Sequence, residues 1–328
     1  MNVKQVIPKD TIPSVDSPEF RDTYGGEDSD RLIVVDKRTV SNIADSTDNL
    51  CPRGYPIRYL NYHEIVNDTY GGIPIAVTWC PLCSSAIIYD RRVDGKTLEF
   101  GVSGKLADDD LVMYDRNTDS EWKQSRGICI RGHFEGQELR VLPVSMMTYE
   151  EFRGAYSDGQ ILASPGGQSE AAGEGSTPEP IDYDKSPYDQ YFSGEGFGLQ
   201  ALHNEGTRNW DRDDIDPKTL IYGIEDPEEP VGFPYPVVQK HNGVLQTSVG
   251  GKQIVIFATE NGMSGYQNPG CSFTRIKDKM VQADGTQWNM NTGQSNDGRS
   301  LTPINGKVMF AFAWQDDHGT DAFYLNED

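Results

Sequence analysis

The stretch that decides the fold is an apolar strand that runs into two closely spaced thiols. It reads Ile73-Pro-Ile-Ala-Val-Thr-Trp-Cys80-Pro-Leu-Cys83-Ser-Ser-Ala-Ile-Ile-Tyr-Asp90. A strand followed by Cys-x-x-Cys is typical either of a redox dithiol or of half a metal site. A thioredoxin-type dithiol opens a helix, whose N-terminus lowers the thiol pKa. Here a second β-rich run and the turn dipeptide Asp94-Gly95 follow, which favours a β-hairpin knuckle.

The rest of the chain also predicts a mainly β protein, a β-rich α+β fold with few short helices. Short runs of β-branched and aromatic residues alternate with turn dipeptides, which are Asp94-Gly95, Asn242-Gly243, Asp284-Gly285 and Asn305-Gly306. Helical periodicity is confined to short pieces at 57–66 and 148–156. The second piece opens with Thr148-Tyr-Glu-Glu151, which has the pattern of a capping box.

The charge of the chain restricts its partners. It carries 51 acidic and 29 basic side chains, a formal net charge of -22. We therefore expect no nucleic acid and no anionic membrane as a partner. Dense surface carboxylates are typical of proteins from salt-loving archaea, where molar salt screens the self-repulsion. This predicts a halophilic, acid-rich protein, and an acidic protein from a mesophile is the alternative.

The hydropathy of the chain predicts no membrane insertion. No run approaches the ~20 apolar residues that a membrane span needs, and residues 1–10 lack the apolar core of a signal peptide. We expect a cytoplasmic protein. The five cysteines, Cys51, Cys80, Cys83, Cys129 and Cys271, are odd in number and scattered. That pattern is unlike a disulfide framework and favours reduced thiols or a metal pair.

Comparing the chain with itself predicts two degenerate pseudo-repeats of one β unit. Matching residues occur in the same order in both copies: Gly54-Tyr-Pro56 with Gly232-Phe-Pro234, His63 with His241, Trp122 with Trp288, Gly127 with Gly293, and Leu139 with Leu301. Where the first copy has its two thiols, the second reads Ala-Thr-Glu-Asn at 258–261. The predicted organisation is an N-terminal arm (1–31), a first repeat with the thiol site (32–164), a flexible linker and connecting segment (165–219), and a second repeat without thiols (220–328).

Several motifs together resemble one protein family. They are Gly54-Tyr-Pro-Ile-Arg-Tyr-Leu-Asn-Tyr-His63-Glu-Ile-Val-Asn-Asp68, Thr78-Trp-Cys80-Pro-Leu-Cys83-Ser-Ser85, Phe100-Gly-Val-Ser-Gly104, Leu111-Val-Met113-Tyr-Asp-Arg116 and Ser120-Glu-Trp122-Lys-Gln124. In this order they resemble the family called domain of unknown function 3179, over about residues 30–325. The resemblance implies occurrence in bacteria and archaea, and it implies no activity. Ser84 stands where the family usually has Gly. Many members look exported or lipid-anchored, so an extracellular location after processing is the alternative.

The chemical candidates centre on the two thiols. Cys80 and Cys83 with Pro81 between them resemble the knuckle of zinc ribbons, in which both thiolates bind one metal. Closing a tetrahedral site requires further ligands, and His63 in the same repeat is the first candidate, followed by Met113, Cys129 and His133. Two thiolates, an imidazole and a thioether suit Cu(I), whereas the same thiolates and imidazole with an open position suit Zn²⁺. The predicted metal ligands are thus Cys80, Cys83, His63 and Met113, for Zn or Cu.

Two other functions stay open at this point. One is a thiol- or disulfide-dependent enzyme that uses Cys80 and Cys83. The other is a structural or self-assembling protein with no catalytic role, whose partner is a second copy or another protein. His63 itself has a purely structural interpretation, because His241 matches it in the repeat without thiols. The substrate and the reaction are unknown from sequence.

Three further features receive structural interpretations. The run Asp108-Asp-Asp110 is read as solvated acid in preference to a Ca²⁺ or Mg²⁺ site. Trp122 and Trp288 are expected to anchor the two cores. The glycines of Gly101-Val-Ser-Gly104 lack the Lys-Ser/Thr and the helix of a phosphate loop, so no nucleotide cofactor is expected.

Overall fold

The structure, a computed structural model, describes residues 1–172 and 177–325. It is 39% strand and 14% helix, which confirms the mainly β class. The strands of the first part are β1 (Val3–Gln5), β2 (Phe20–Arg21), β3 (Arg31–Val35), β4 (Arg53–Pro56), β5 (Ile65–Tyr70), β6 (Ile73–Cys80), β7 (Ser85–Asp90), β8 (Arg92–Val93), β9 (Lys96–Thr97), β10 (Phe100–Ala107), β11 (Asp110–Asp115), β12 (Glu121–Lys123), β13 (Ile128–Arg131), β14 (Val141–Leu142), β15 (Ser145–Thr148), β16 (Gln160–Leu162), β17 (Gln168–Ser169) and β18 (Glu179–Pro180).

The later strands and the helices complete the chain. The strands are β19 (Leu220–Ile224), β20 (Val231–Pro234), β21 (Val244–Val249), β22 (Lys252–Thr259), β23 (Gly262–Gln267), β24 (Thr274–Lys277), β25 (Met280–Ala283), β26 (Thr286–Asn289) and β27 (Gly306–Phe310). The α-helices are α1 (Lys37–Val40), α2 (Ile57–His63), α3 (Tyr149–Ala155), α4 (Asp189–Ser193), α5 (Gly198–Leu202), α6 (Tyr235–Lys240) and α7 (Ala311–His318), and Glu170–Ala172 form a 3₁₀ turn.

Local sequence signals placed two of the short helices, α2 and α3, correctly. The capping box of α3 is present, because Glu151 N donates to Thr148 Oγ1 at 3.3 Å and Thr148 N donates to Glu151 Oε2 at 2.7 Å. Helix α2 lies in the predicted piece 57–66 and begins after Pro56, whose φ is -63°. Helix α6 begins in the same way after Pro234, with a φ of -66°. The ring of proline fixes a φ that suits this position.

The two halves of the chain pair their strands in the same order. Strand β3 is antiparallel to β4 and to the late strand β15. Strand β19 is likewise antiparallel to β20 and to the late strand β27. Between these pairs, β5-β6-β7 and β21-β22-β23 each form a meander. A duplication would produce these pairings, and the equivalence of the two halves stays a prediction.

The halves also share a sheet and a core. Strand β27 of the second half pairs with β7 of the first through Val308 and Ala86, giving the sheet order β20-β19-β27-β7-β6-β5 with β14 beside β7. One hydrophobic cluster includes Trp79 of the first half and Phe233 of the second. Trp122 and Trp288 are 0% and 2% exposed, which confirms them as core anchors.

The segment 165–219 packs against the first half where it is described. Its short strands β17 and β18 pair with each other, while residues 173–176 of the predicted linker lie outside the described residues. Tyr191 on α4 donates from its hydroxyl to Leu82 O at 2.8 Å, and that hydroxyl accepts from Gly198 N at 3.1 Å. This segment therefore lies over the loop that carries the thiols. Within residues 1–172 and 177–325, no helix has the length and apolar character required to cross a membrane.

Candidate functional site

The two thiols lie at a β-hairpin turn, as the sequence predicts. Cys80 ends β6 and pairs with Ser85, the first residue of β7. The loop between them closes with Ser84 N donating to Pro81 O at 3.3 Å, and Ser84 has a φ of +45°. From the second half, Phe310 N donates to Cys83 O at 2.8 Å. The thiols are thus held by two strands and by β27, and no helix begins at them.

A buried carboxyl group lies close to the two sulfurs. The Sγ atoms of Cys80 and Cys83 and a carboxylate oxygen of Asp110 all lie within 4.8 Å of one another. The three residues are 2%, 0% and 1% exposed, respectively. The tight turn between β10 and β11 places Asp110 there, with Asp108 and Asp109 at φ values of +53° and +66°. The expectation of a solvated acid run is wrong for Asp110, since the turn directs it into the core.

Asp110 is only partly satisfied by its neighbours. Its Oδ2 accepts a hydrogen bond from Ser125 N at 2.8 Å, whereas its Oδ1 is buried and has no hydrogen-bond partner among the residues described. Burial raises the pKa of Asp110 to about 7, and the nearby Lys123 ammonium acts in the opposite direction. Lys123 pairs with Asp317 at 2.8 Å and with Asp108 at 3.4 Å. A buried carboxylate oxygen without a partner is costly, and a bound cation would compensate it.

The thiol of Cys83 favours its protonated form when no cation is present. Burial raises the pKa of Cys83 well above its ordinary value, and the adjacent Cys80 side chain adds to the effect. Cys83 Sγ donates to Asp109 O at 3.5 Å. Only a thiolate attacks as a nucleophile or binds a metal. A positive charge close to the Cys83 sulfur would therefore favour its ionisation.

His63 does not reach the thiols. Its Nδ1 lies 2.8 Å from Pro13 O, and its Nε2 lies 2.5 Å from the hydroxyl of Tyr183. Both ring nitrogens are thus engaged by other groups, and burial lowers the pKa of the ring. Within the described ranges, the cluster of His, Cys, Asp and Glu ligand atoms consists of Cys80, Cys83 and Asp110 and does not contain His63.

The other predicted ligands lie in different surroundings. Met113 is fully buried on β11, opposite Trp122, in the same apolar cluster as both thiols. Cys129 donates its Sγ to Arg131 O at 3.4 Å. His133 is exposed, with its ring 4.7 Å from that of Phe134. Neither Cys129 nor His133 is part of the cluster of ligand atoms, and the role of Met113 stays a prediction.

A cleft of about 790 Å³ opens beside Cys80. It is lined by residues of the N-terminal arm, β10, β11, the thiol loop and the segment over that loop, among them Ile7, Val102, Leu106, Leu111, Leu199 and Leu202. Glu64 also lines it and is 7% exposed. Burial, with the neighbouring carboxyl groups of Asp110 and Glu170, raises the pKa of Glu64 to about 8.

Two carboxyl groups near the thiols, those of Glu64 and Asp110, were not among the predicted site residues, and the sequence pattern around each of them was ambiguous. Glu64 directly follows His63, and it ends α2 with a φ of +58°, which changes the chain direction at that point. Of this His-Glu pair, Glu64 lines the cleft, and the role of His63 as a ligand stays a prediction. Asp110 is the first residue of β11 and directly precedes its apolar run, but its two acidic neighbours made it look solvated.

Comparison with known proteins supports the family and no nearer relation. No curated protein and no solved structure matches the chain. A family model described as protein of unknown function (DUF3179) matches residues 9–321. That span includes both halves of the fold, the hairpin with its two thiols and both buried carboxylates. The chain therefore belongs to the DUF3179 family.

Proposed function

We propose that this protein binds one Zn²⁺ ion through Cys80 Sγ, Cys83 Sγ and the carboxylate of Asp110. The observation that carries the proposal is the convergence of these three buried ligand atoms within 4.8 Å, from two separate hairpin turns. The unpartnered Oδ1 of Asp110 supports it, because nothing in the described protein satisfies that oxygen. This ligand set replaces the predicted one that included His63.

The donor set favours zinc over copper. Thiolates suit both ions, but a carboxylate oxygen is a common ligand of Zn²⁺ and a poor partner for the softer Cu(I). Three protein ligands leave a fourth tetrahedral position for water or a small molecule, as in catalytic zinc sites. The cleft lined by Cys80 gives access to that side of the thiol loop. Binding of the cation would favour the ionised forms of Cys83 and Asp110, whose pKa values burial raises.

Metal analysis of the full chain tests this proposal. We expect about one Zn²⁺ per chain after loading and removal of excess metal. Cys80→Ser, Cys83→Ser and Asp110→Asn should each weaken the affinity by at least about tenfold, since each removes a ligand or its charge. Cys129→Ser is the matched control, because Cys129 is a buried thiol outside the cluster. Circular dichroism checks that each variant folds.

Two results would contradict the proposed ligand set. One is a Cys80→Ser protein whose zinc content equals that of the unaltered chain. The other is a loss of zinc in His63→Ala as large as in Cys83→Ser, which would restore the ligand set predicted from sequence. We expect His63→Ala to retain zinc, because both ring nitrogens already have partners.

A thiol- or disulfide-dependent function is the second candidate. It is favoured by the proximity of two sulfurs that can form one disulfide at a hairpin turn. The raised pKa of Cys83 opposes it, because the thiolate is scarce at neutral pH. Mild oxidation of metal-free protein should convert Cys80 and Cys83, and not Cys51, Cys129 or Cys271, if this function operates. A purely structural role would leave the protein free of zinc and the pair inert to oxidation.

A further inference from the structure

The cleft beside the thiol loop has the size and walls of a small-molecule site. Its volume of about 790 Å³ lies within the range of ligand pockets, ~300–1,000 Å³. The N-terminal arm contributes Ile7 and Ile12, β10 contributes Val102 and Leu106, and α5 contributes Leu199 and Leu202. These side chains form apolar walls. The body of a ligand that fills the cleft is therefore apolar.

One buried carboxyl group in this cleft has no partner within the part of the chain that the structure describes. Glu64 is 7% exposed and lines the cleft. Its side chain makes no hydrogen bond and no ion pair with any residue in 1–172 or 177–325. Buried acidic side chains are normally paired or hydrogen-bonded. An unpaired one that faces an open cavity indicates a group that is supplied by a ligand.

The other charged groups of the cleft do not neutralise Glu64. Glu170, half-buried in the 3₁₀ turn, lines the same cleft and adds a second carboxyl group. Lys105 is already paired with Glu121 at 2.6 Å. At the exposed rim, His203 and Glu205 face solvent. The cleft thus combines apolar walls with two carboxyl groups. Within residues 1–172 and 177–325, Glu64 has no basic partner, and the basic group near Glu170 is His203 at the rim.

We infer that this cleft binds a small ligand with an apolar body and a primary ammonium head group, which Glu64 and Glu170 receive. An ammonium group donates up to three hydrogen bonds and carries the compensating charge. A neutral alcohol offers a hydrogen bond without the charge, and an anion would be repelled. The inference goes beyond the zinc proposal and does not depend on it, since the carboxyl groups that carry it are not among the proposed zinc ligands.

Calorimetric titration of the full chain with three probes of equal length tests the inference. The probes are hexylammonium chloride, hexanol and hexanoate, and the protein is treated with a chelator so that no amine–metal bond contributes. We expect hexylammonium to bind at least about tenfold more tightly than hexanol, in line with a charge-assisted hydrogen bond. Hexanoate should bind more weakly than either.

Two matched variants locate the interaction. Glu64→Gln keeps the size of the side chain but cannot form the carboxylate that would pair with an ammonium group, so it should abolish the preference for hexylammonium. Glu205→Gln alters an exposed carboxyl group at the rim and should retain this preference.

Equal binding of hexylammonium and hexanol, a preference for hexanoate, no binding of any probe, or an unchanged preference in Glu64→Gln would each overturn the inference. If Glu64→Gln does not fold, Glu170→Gln takes its place and should reduce the preference. A chain that takes up no zinc on loading, yet still prefers hexylammonium, would refute the metal site alone.

Discussion

At the scale of single residues, the raised pKa of Glu64 makes the stability of the folded protein depend on pH. Its carboxyl group has an ordinary pKa of 4.5, which the fold raises to about 8. Between these two values the unfolded chain has lost the proton while the folded chain retains it, so the folded state binds more protons. Stability must then fall as pH rises through this interval, by up to about 1.4 kcal/mol per pH unit for a single group.

Replacing this carboxyl group by an amide should remove that part of the pH dependence. We expect metal-free Glu64→Gln to lose less stability than the unaltered protein as pH rises from about 5 to about 8. Urea unfolding across this range measures the slope for each protein. Glu205→Gln, at an exposed position, is the control and should keep the original slope. Equal slopes for Glu64→Gln and the unaltered chain would show that Glu64 ionises normally in the folded state.

The residues of the candidate site differ in how well the sequence predicted their positions, because a local turn places some of them and a remote element places others. Cys80 and Cys83 were predictable because a local turn fixes them next to each other. The position of Asp110 was not predictable, because this residue lies on a different hairpin from the thiols. No local sequence pattern indicates that the two hairpins meet. The hydrogen bonds of His63 were also not predictable, because its partners Pro13 and Tyr183 are remote from it in sequence.

At the scale of elements, two glycine turns give a matched test of the repeat. Gly127 N donates to Lys123 O, and Leu139 N donates to Gly127 O. In the second half, Gly293 N donates to Asn289 O and Leu301 N donates to Gly293 O. The two glycines have φ values of +68° and +61°. A Cβ atom at either would lie 2.6 Å from the ring of a buried tyrosine, Tyr89 in the first half and Tyr266 in the second.

Alanine at either glycine should therefore destabilise the protein in the same way. A positive φ and a contact with an aromatic ring each oppose a side chain there, and together we expect a loss of about 2–4 kcal/mol for Gly127→Ala and for Gly293→Ala. Urea unfolding measures both losses. Gly72→Ala is the control, because its φ is +76° but its Cβ would have nothing within 4 Å. A large loss at one glycine of the pair and a small loss at the other would count against equivalent turns.

The elements themselves were predictable where the signal is local. Asp94-Gly95 and Asp284-Gly285 both form hairpin turns with positive φ, as their sequence indicates. The capping box of α3 is equally local. In contrast, the pairing of β27 with β7 joins Val308 to Ala86 across the two halves. Packing in three dimensions sets the register between remote strands. The sequence pattern of either strand alone therefore does not predict which strand it pairs with.

At the scale of the whole molecule, the fold and the charge act together. The shared sheet means that the thiol loop depends on both halves, since Phe310 N of β27 bonds to Cys83 O. The folded chain also carries a formal net charge of -22. Many basic side chains already have acidic partners, such as Arg208 with Asp316 and Arg53 with Asp68. The excess carboxylates therefore repel one another without compensation.

Salt should relieve that repulsion and stabilise the protein. At about 1 M ionic strength the Debye length shrinks to ~3 Å, so carboxylates on neighbouring parts of the surface no longer interact strongly. The same screening weakens exposed ion pairs, such as Arg299 with Asp297, but each of these contributes only about 0–1 kcal/mol. Repulsion outweighs attraction because acidic residues exceed basic ones by 22 (51 minus 29). We expect the midpoint of thermal unfolding to rise with KCl up to about 1 M. Scanning calorimetry over this range measures it, and a flat or falling midpoint would remove the support for a halophilic protein.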